Sequence, residues 1–112
     1  MITIATLASS LAPFPLAPVE AGLRAELIEA IKAEAAIKGI SLPASPVQIA
    51  SAAVQIDSLV VVSILCAVEP ILGFELSETM VRAGGYVSVD SALSHLLPRI
   101  EKHWIKRKGV KP

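Results

Sequence analysis

Apolar residues recur every three or four positions in three separate stretches of the chain, and this spacing constrains the fold more than any other feature. The first stretch carries Leu23, Leu27, Ile31 and Ala35. The second carries Val61, Leu65, Val68 and Leu72. The third carries Val89, Leu93, Leu96, Ile100 and Trp104. Because this period belongs to a helix with one buried face, and no stretch signals strand pairing, we predict an all-α bundle.

The ends of the first and last helices are marked by residues with known positional preferences. Pro18 suits the first turn of a helix, and Gly39 suits the position after its last residue. The last helix should begin near Ser88, and Pro98 should kink it.

The middle helix has a less regular signature. Its start, Val60–Val62, favours a strand by propensity, but the apolar period favours a helix with Asp57 as its N-cap. Since this stretch has almost no charge, we expect it to be buried on more than one side. Pro70 should kink or stop the last turn, and Gly73 should end the helix.

The composition of the segments between the helices predicts how they are folded. The uncharged segment 39–56 contains two prolines and predicts a long loop between the first and second helices. Ser77 can cap a short element that runs to Val81, with Gly84 and Gly85 after it.

These predictions divide the 112 residues into three parts: an extended or flexible N-terminal arm at 1–17, a helical domain at 18–105, and a basic tail at 106–112. The arm has no Lys or Arg and is interrupted by prolines, so we expect neither a signal peptide nor a membrane span, and a cytoplasmic location. The single cysteine excludes an internal disulfide.

The net charge of zero hides an uneven distribution. Residues 39–98 hold one arginine against five carboxylates, whereas residues 99–112 hold six cations against Glu101 alone. A mildly acidic body therefore carries a basic end. We interpret that end as a solvated helix terminus, with docking on an acidic partner as the alternative, and we predict no nucleic-acid binding because aromatic residues are not interleaved with the cations.

The triplet Asp57-Ser58-Leu59 lies after the long loop and at the start of the second helix. It resembles the attachment site of the acyl carrier protein family, in which such a serine bears a 4′-phosphopantetheine arm. The likeness extends over roughly residues 19–104, through Leu72-Gly73-Phe74-Glu75-Leu76, the acidic Ser77-Glu78 and the Val89-Asp90-Ser91-Ala92-Leu93 segment. It implies a four-helix bundle with three longer helices and a short third one.

The resemblance implies a function and a set of site residues. The chain would be a carrier rather than an enzyme, holding acyl groups as thioesters on phosphopantetheine attached to Ser58, in specialised fatty-acid, lipid or polyketide biosynthesis. Asp57 would assist the loading phosphopantetheinyl transferase through that enzyme's magnesium ion. The other partners would be a synthase, ligase or acyltransferase. A phosphodiester on Ser58 also suits the free amides and dipole of a helix start.

Helical geometry extends this interpretation to two further groups of residues. The partner-binding side of the second helix is predicted to contain Leu59, Val62, Ser63, Cys66 and Glu69. The inward side, which lines the acyl pocket in family members that shelter their cargo, is predicted to contain Ile64, Val68, Ile71 and Ala67. Cys66 itself is expected to be buried or half-buried.

This chain departs from the family where the start of the second helix usually carries acids, because Val60–Val62 and Ser63 stand there. We therefore expect dedicated partners that dock by apolar contact. The alternative function is an unmodified helical interaction module that uses this helix as a partner or dimer surface, although we expect a monomer. No metal site is predicted, because His95, His103 and Cys66 lack metal-ligand spacing.

Overall fold

The computed structural model describes residues 13–107, and in this part of the chain the architecture is all-α. The helices are α1 (Leu16–Lys38), the short α2 (Pro46–Ser51), α3 (Ser58–Leu72) and α4 (Val89–Arg107), with one 3₁₀ turn at Glu78–Met80. Helix α1 packs along both α3 and α4, and α2 covers one end of α1 and α4. No helix in residues 13–107 is both long and apolar enough to cross a bilayer.

The three predicted apolar stripes form the core. All thirteen stripe residues are buried, and Met80, Tyr86 and Ile56 add to them from the connections. Gly39 and Gly73 end α1 and α3 with positive φ angles of 69° and 87°. Ser88 caps α4, because its Oγ accepts a hydrogen bond of 3.0 Å from the Ser91 amide.

Helix α1 starts two residues earlier than the sequence predicts. Phe14 packs against the core just before it, with its ring 6.0 Å from that of Trp104. The predicted arm is thus ordered helix from Leu16 onward, and its residues 1–12 lie outside the described part of the chain. At the other end α4 runs to Arg107, so the first two residues of the predicted basic tail are helical.

The segment 39–56 is not the continuous loop that its composition predicts, because α2 lies within it. Pro46 occupies the first helical position, where its missing amide costs nothing. Ile49 and Ala50 are buried and attach this short helix to the bundle.

Proline does not end α3 or α4. Helix α3 continues two residues beyond Pro70 to Leu72, and α4 is continuous on both sides of Pro98. Of the two outcomes predicted for Pro70, a kink or a stop, the stop is wrong, because the helix continues to Leu72 and the Gly73 amide donates to the Glu69 carbonyl.

Helix α3 is buried along one stripe, and the expectation of burial on more than one side is wrong. Apart from the buried Ile64, the residues between the stripe positions are exposed or partly exposed, although most of them are apolar. The exposed or partly exposed apolar members are Leu59, Val60, Val62, Cys66, Ala67, Pro70 and Ile71. The absence of charge on α3 therefore leaves an apolar surface rather than a second buried face.

Candidate functional site

Asp57 and Ser58 lie next to each other at the N-terminus of α3, and only Asp57 caps the helix. Asp57 Oδ1 accepts a hydrogen bond of 2.9 Å from the Leu59 amide, and the Asp57 carbonyl accepts one of 3.2 Å from the Val61 amide. Asp57 is the N-cap, as the sequence predicts. Ser58 is half-buried in the first turn, and within residues 13–107 its hydroxyl makes no hydrogen bond. By contrast, the Ser77 and Ser88 hydroxyls serve as caps.

The residue before Asp57 is held by a pair of backbone hydrogen bonds that the sequence did not predict. The Ile56 amide donates to the Tyr86 carbonyl at 2.7 Å, and the Tyr86 amide donates to the Ile56 carbonyl at 3.0 Å. The Gln55 side chain adds a bond of 2.7 Å from Nε2 to the Gly84 carbonyl. The chain leading into Ser58 is therefore fixed to a segment nearly thirty residues away.

Gly85 makes this pairing possible. A Cβ at this position would lie 1.9 Å from the Ile56 carbonyl oxygen and 3.0 Å from the Ser58 nitrogen, and the backbone φ is +83°. Both the space and the conformation therefore require glycine. The Gly84-Gly85 pair is the signal that could have revealed the close approach from sequence.

The Tyr86 side chain connects this backbone pairing to α4. Its side chain is 1% exposed, and its Oη accepts a hydrogen bond of 3.0 Å from the Arg82 amide. His95 Nδ1 lies 2.6 Å from the same oxygen, and Arg99 Nε lies 3.1 Å from His95 Nε2. Since Arg99 Nε can only donate, Nε2 is the unprotonated nitrogen and Nδ1–H donates to Tyr86.

This arrangement favours neutral His95. Desolvation first, and then the positive charges of Arg99 and Arg82, hold the pKa of His95 below its ordinary value of 6.5. Protonation would place a third cation beside two arginines and would remove the acceptor that Arg99 uses. In residues 13–107, no cluster of three or more His, Cys, Asp or Glu side chains could hold a metal ion.

The five residues predicted for the partner-binding side of α3 all reach the surface to some degree. Leu59, Ser63 and Cys66 are exposed, and Val62 and Glu69 are half-buried. The expectation that Cys66 is buried or half-buried is wrong, because it lies between the buried positions of the stripe. Glu69, the one charged residue of α3, is engaged internally: its Oε2 accepts a hydrogen bond of 2.8 Å from the Leu76 amide. The exposed part of α3 itself is consequently mainly apolar, and the nearest carboxylate to Ser58 along the chain is that of Asp57.

The four residues predicted to face inward are divided by the structure. Ile64 and Val68 are buried in the core, whereas Ile71 is 40% exposed and Ala67 is exposed. For these two the prediction is wrong, because Ala67 and Ile71 lie outside the buried stripe of α3; the Cδ1 atom of Ile71 still lies beside Gly22 of α1.

A groove of about 330 Å³ runs between α1 and α3 on this edge. Val60, Ser63 and Ile64 line it from α3, and Ala30 with the carboxylates Glu26 and Glu29 lines it from α1. Of the residues predicted for the acyl pocket, Ile64 lines this groove.

Comparison with known proteins gives no relative from which this site could be interpreted. No family model matches the chain, and no curated protein or solved structure is detectably similar to it. The interpretation of the site therefore rests on its own geometry and on the resemblance in its sequence.

Proposed function

We propose that this chain is a carrier protein that holds acyl groups as thioesters on a 4′-phosphopantetheine arm attached to Ser58. One observation carries the proposal. Ser58 stands in the first turn of α3 with a hydroxyl that makes no hydrogen bond within residues 13–107, because the adjacent Asp57 supplies the cap. A hydroxyl that does no structural work is available for modification.

The surroundings of Ser58 suit a phosphodiester. The first turn of a helix has amides without intrahelical acceptors, and Asp57 takes up only that of Leu59 with its side chain. The positive end of the α3 dipole would stabilise the added negative charge. The Ile56–Tyr86 pairing holds the approach to Ser58 in place while a transferase acts on it.

The order of elements supports an acyl-carrier-like bundle. A long helix, a long connection, a second long helix with the Asp57-Ser58-Leu59 triplet at its start, a short turn and a last long helix follow one another as the resemblance implies. The extra helix α2 is a departure within the connection.

A carrier needs no catalytic base of its own. His95 is engaged with Tyr86 and Arg99. The thioester chemistry would belong to the terminal thiol of the bound arm and to the partner enzymes.

The surface beside Ser58 supports dedicated partners. Leu59 is 75% exposed, and the only carboxylate of α3 is turned to the Leu76 amide. A partner that fits this surface presents apolar side chains, whereas a basic patch suited to acidic carriers would find only the half-buried Glu69 on α3 and the exposed Asp57 at its N-cap. If a housekeeping fatty-acid synthase accepted this carrier as readily as an acidic one, the proposal of dedicated partners would fail.

Mass spectrometry of the intact chain tests the carrier function. The protein is incubated with coenzyme A, magnesium and a broad-specificity phosphopantetheinyl transferase. Wild type should gain the mass of one arm, Ser58→Ala should gain none, and Ser63→Ala, which removes an exposed hydroxyl on the same helix, should behave as wild type. No gain by wild type with any transferase, or a gain by Ser58→Ala, would contradict the proposal.

A second function is favoured by the exposed apolar side chains of α3, among them Leu59, Val60 and Ile71. In this alternative the chain is an unmodified interaction module that uses α3 as a partner or dimer surface. Sedimentation equilibrium distinguishes the dimer form of this function. A dimer that Leu59→Ser dissociates supports it, and a monomer that accepts phosphopantetheine supports the carrier.

A further inference from the structure

The C-terminal half of α4 forms a basic groove against the 3₁₀ turn. Four side chains that can carry positive charge line it at positions three and four apart: Arg99, Lys102, His103 and Lys106. Met80 from the 3₁₀ turn also lines the groove, whose volume is about 140 Å³.

The cations of this groove have no carboxylate partner among residues 13–107. Arg99 donates to His95, and no ion pair involves Arg99, Lys102 or Lys106. Glu78, two residues before Met80, forms no ion pair with them either. The lysines of α1 differ, because Lys32 is 3.5 Å from Glu29 and Lys38 is 3.2 Å from Glu34.

The helix dipole accounts for only part of this clustering. Cations are favoured in the last turn of a helix, where Lys106 lies, and the effect falls off beyond that turn. Arg99 and Lys102 lie eight and five residues before the end of α4 at Arg107. Their convergence on one groove with His103 creates a local positive potential that an anion would neutralise.

We propose that this groove binds a phosphate group, presented by a soluble phosphate ester or by a lipid head group. A tetrahedral dianion fits a small concave site with several N–H donors, and an arginine with two lysines is a donor set typical of phosphate sites. Met80 supplies the apolar part of the lining. The site lies on α4 and is independent of Ser58 and of the carrier function.

Titration with inorganic phosphate tests the site, with NMR signals of the His103 ring as the readout. Wild type should give saturable shifts that potassium chloride at equal ionic strength does not produce. Lys102→Gln with Lys106→Gln should weaken the apparent affinity at least tenfold, while the matched pair Lys32→Gln with Lys38→Gln on α1 should leave it unchanged. All four lysines are exposed, and circular dichroism verifies that both variants fold.

Vesicle co-sedimentation then separates the two sources of phosphate. Phosphatidylcholine vesicles containing phosphatidic acid should retain wild type but not the Lys102/Lys106 variant if the source is a lipid head group. Binding of free phosphate without vesicle retention indicates a soluble ester. Shifts that chloride reproduces, or retention on any anionic vesicle that the Lys102/Lys106 variant shares, would overturn the proposal.

Discussion

Ile56 and Tyr86 exchange two backbone hydrogen bonds of 2.7 and 3.0 Å, immediately before the Asp57-Ser58 pair. These bonds join the entry of α3 to the segment that leads into α4. Through the Tyr86 hydroxyl they also reach His95 on α4. The position of Ser58 therefore depends on contacts made by residues far from it in the chain.

The two adjacent glycines provide a matched test of this dependence. Both have positive φ, but a Cβ on Gly84 would meet nothing within 4 Å, whereas a Cβ on Gly85 would overlap the Ile56 carbonyl. Gly84→Ala should cost about 1 kcal/mol in the free energy of unfolding, from backbone strain alone. Gly85→Ala should cost more than about 3 kcal/mol, because it also breaks the pairing. Chemical denaturation measures both values.

The same two variants address the site. Modification of Ser58 by a transferase should be slower in Gly85→Ala than in Gly84→Ala at a temperature where both remain folded. Equal rates and equal stabilities would show that the Ile56–Tyr86 pairing does not position Ser58.

The sequence predicted the features that depend on local pattern. The three stripes were correct because burial of an amphipathic helix follows its own period. Asp57 and Ser77 were correct as caps because capping involves residues two positions apart here, and the start of α4 near Ser88 was also correct. The loop assignment of 39–56 failed because α2 has only six residues and depends on the burial of Ile49 and Ala50 against other helices.

Features that depend on the approach of distant segments were not predictable. The Ile56–Tyr86 bridge is a single residue pair outside any strand, so no alternation of apolar and polar residues predicts it. Ile71 lies within the angular range of the inward face, but its exposure depends on how closely α3 approaches Gly22 of α1. The exposure of Cys66 has a different origin, since Cys66 lies between the buried positions of the stripe, and the stripe itself indicates which face is exposed.

Stability should depend on the protonation of His95. Because the pKa of His95 is lower in the folded chain than the ordinary value, the unfolded chain binds more protons as the pH falls through about 6.5. The free energy of unfolding should therefore be greatest above about pH 6.5 and decrease toward the folded-state pKa below it. Denaturation curves from about pH 7.5 to about pH 5 measure the decrease.

His95→Gln supplies the control for this pH dependence. Glutamine retains a hydrogen-bonding side chain but does not titrate, so its curve should be flatter over the same range. An unchanged pH dependence in His95→Gln would assign the effect to other groups.

Tyr86→Phe removes the hydroxyl oxygen that accepts hydrogen bonds from the Arg82 amide and from His95. This change should lower the free energy of unfolding by about 1–3 kcal/mol at neutral pH.

Asp57 can be tested for a role beyond capping. Asparagine caps helices about as well as aspartate, so Asp57→Asn should change the free energy of unfolding by less than about 0.5 kcal/mol, whereas Asp57→Ala should lower it by about 0.5–2 kcal/mol. If the carboxylate assists loading of Ser58, Asp57→Asn should load at least tenfold more slowly than wild type although it is equally stable. Loading at the wild-type rate would reduce Asp57 to a cap.

The apolar surface of α3 can be mapped by separating stability from partner recognition. Leu59 is 75% exposed, so Leu59→Ser should change the free energy of unfolding by less than about 0.5 kcal/mol. If partner enzymes dock by apolar contact, the same change should reduce acyl transfer to a dedicated partner at least tenfold, and Val47→Ser, an equally exposed change on α2, should not.

Cys66 reports on the same surface, because its exposed thiol should react with a maleimide in the folded chain and become protected when a partner binds. Transfer that is insensitive to Leu59→Ser, together with an unprotected Cys66 in the complex, would place the docking surface elsewhere on the molecule.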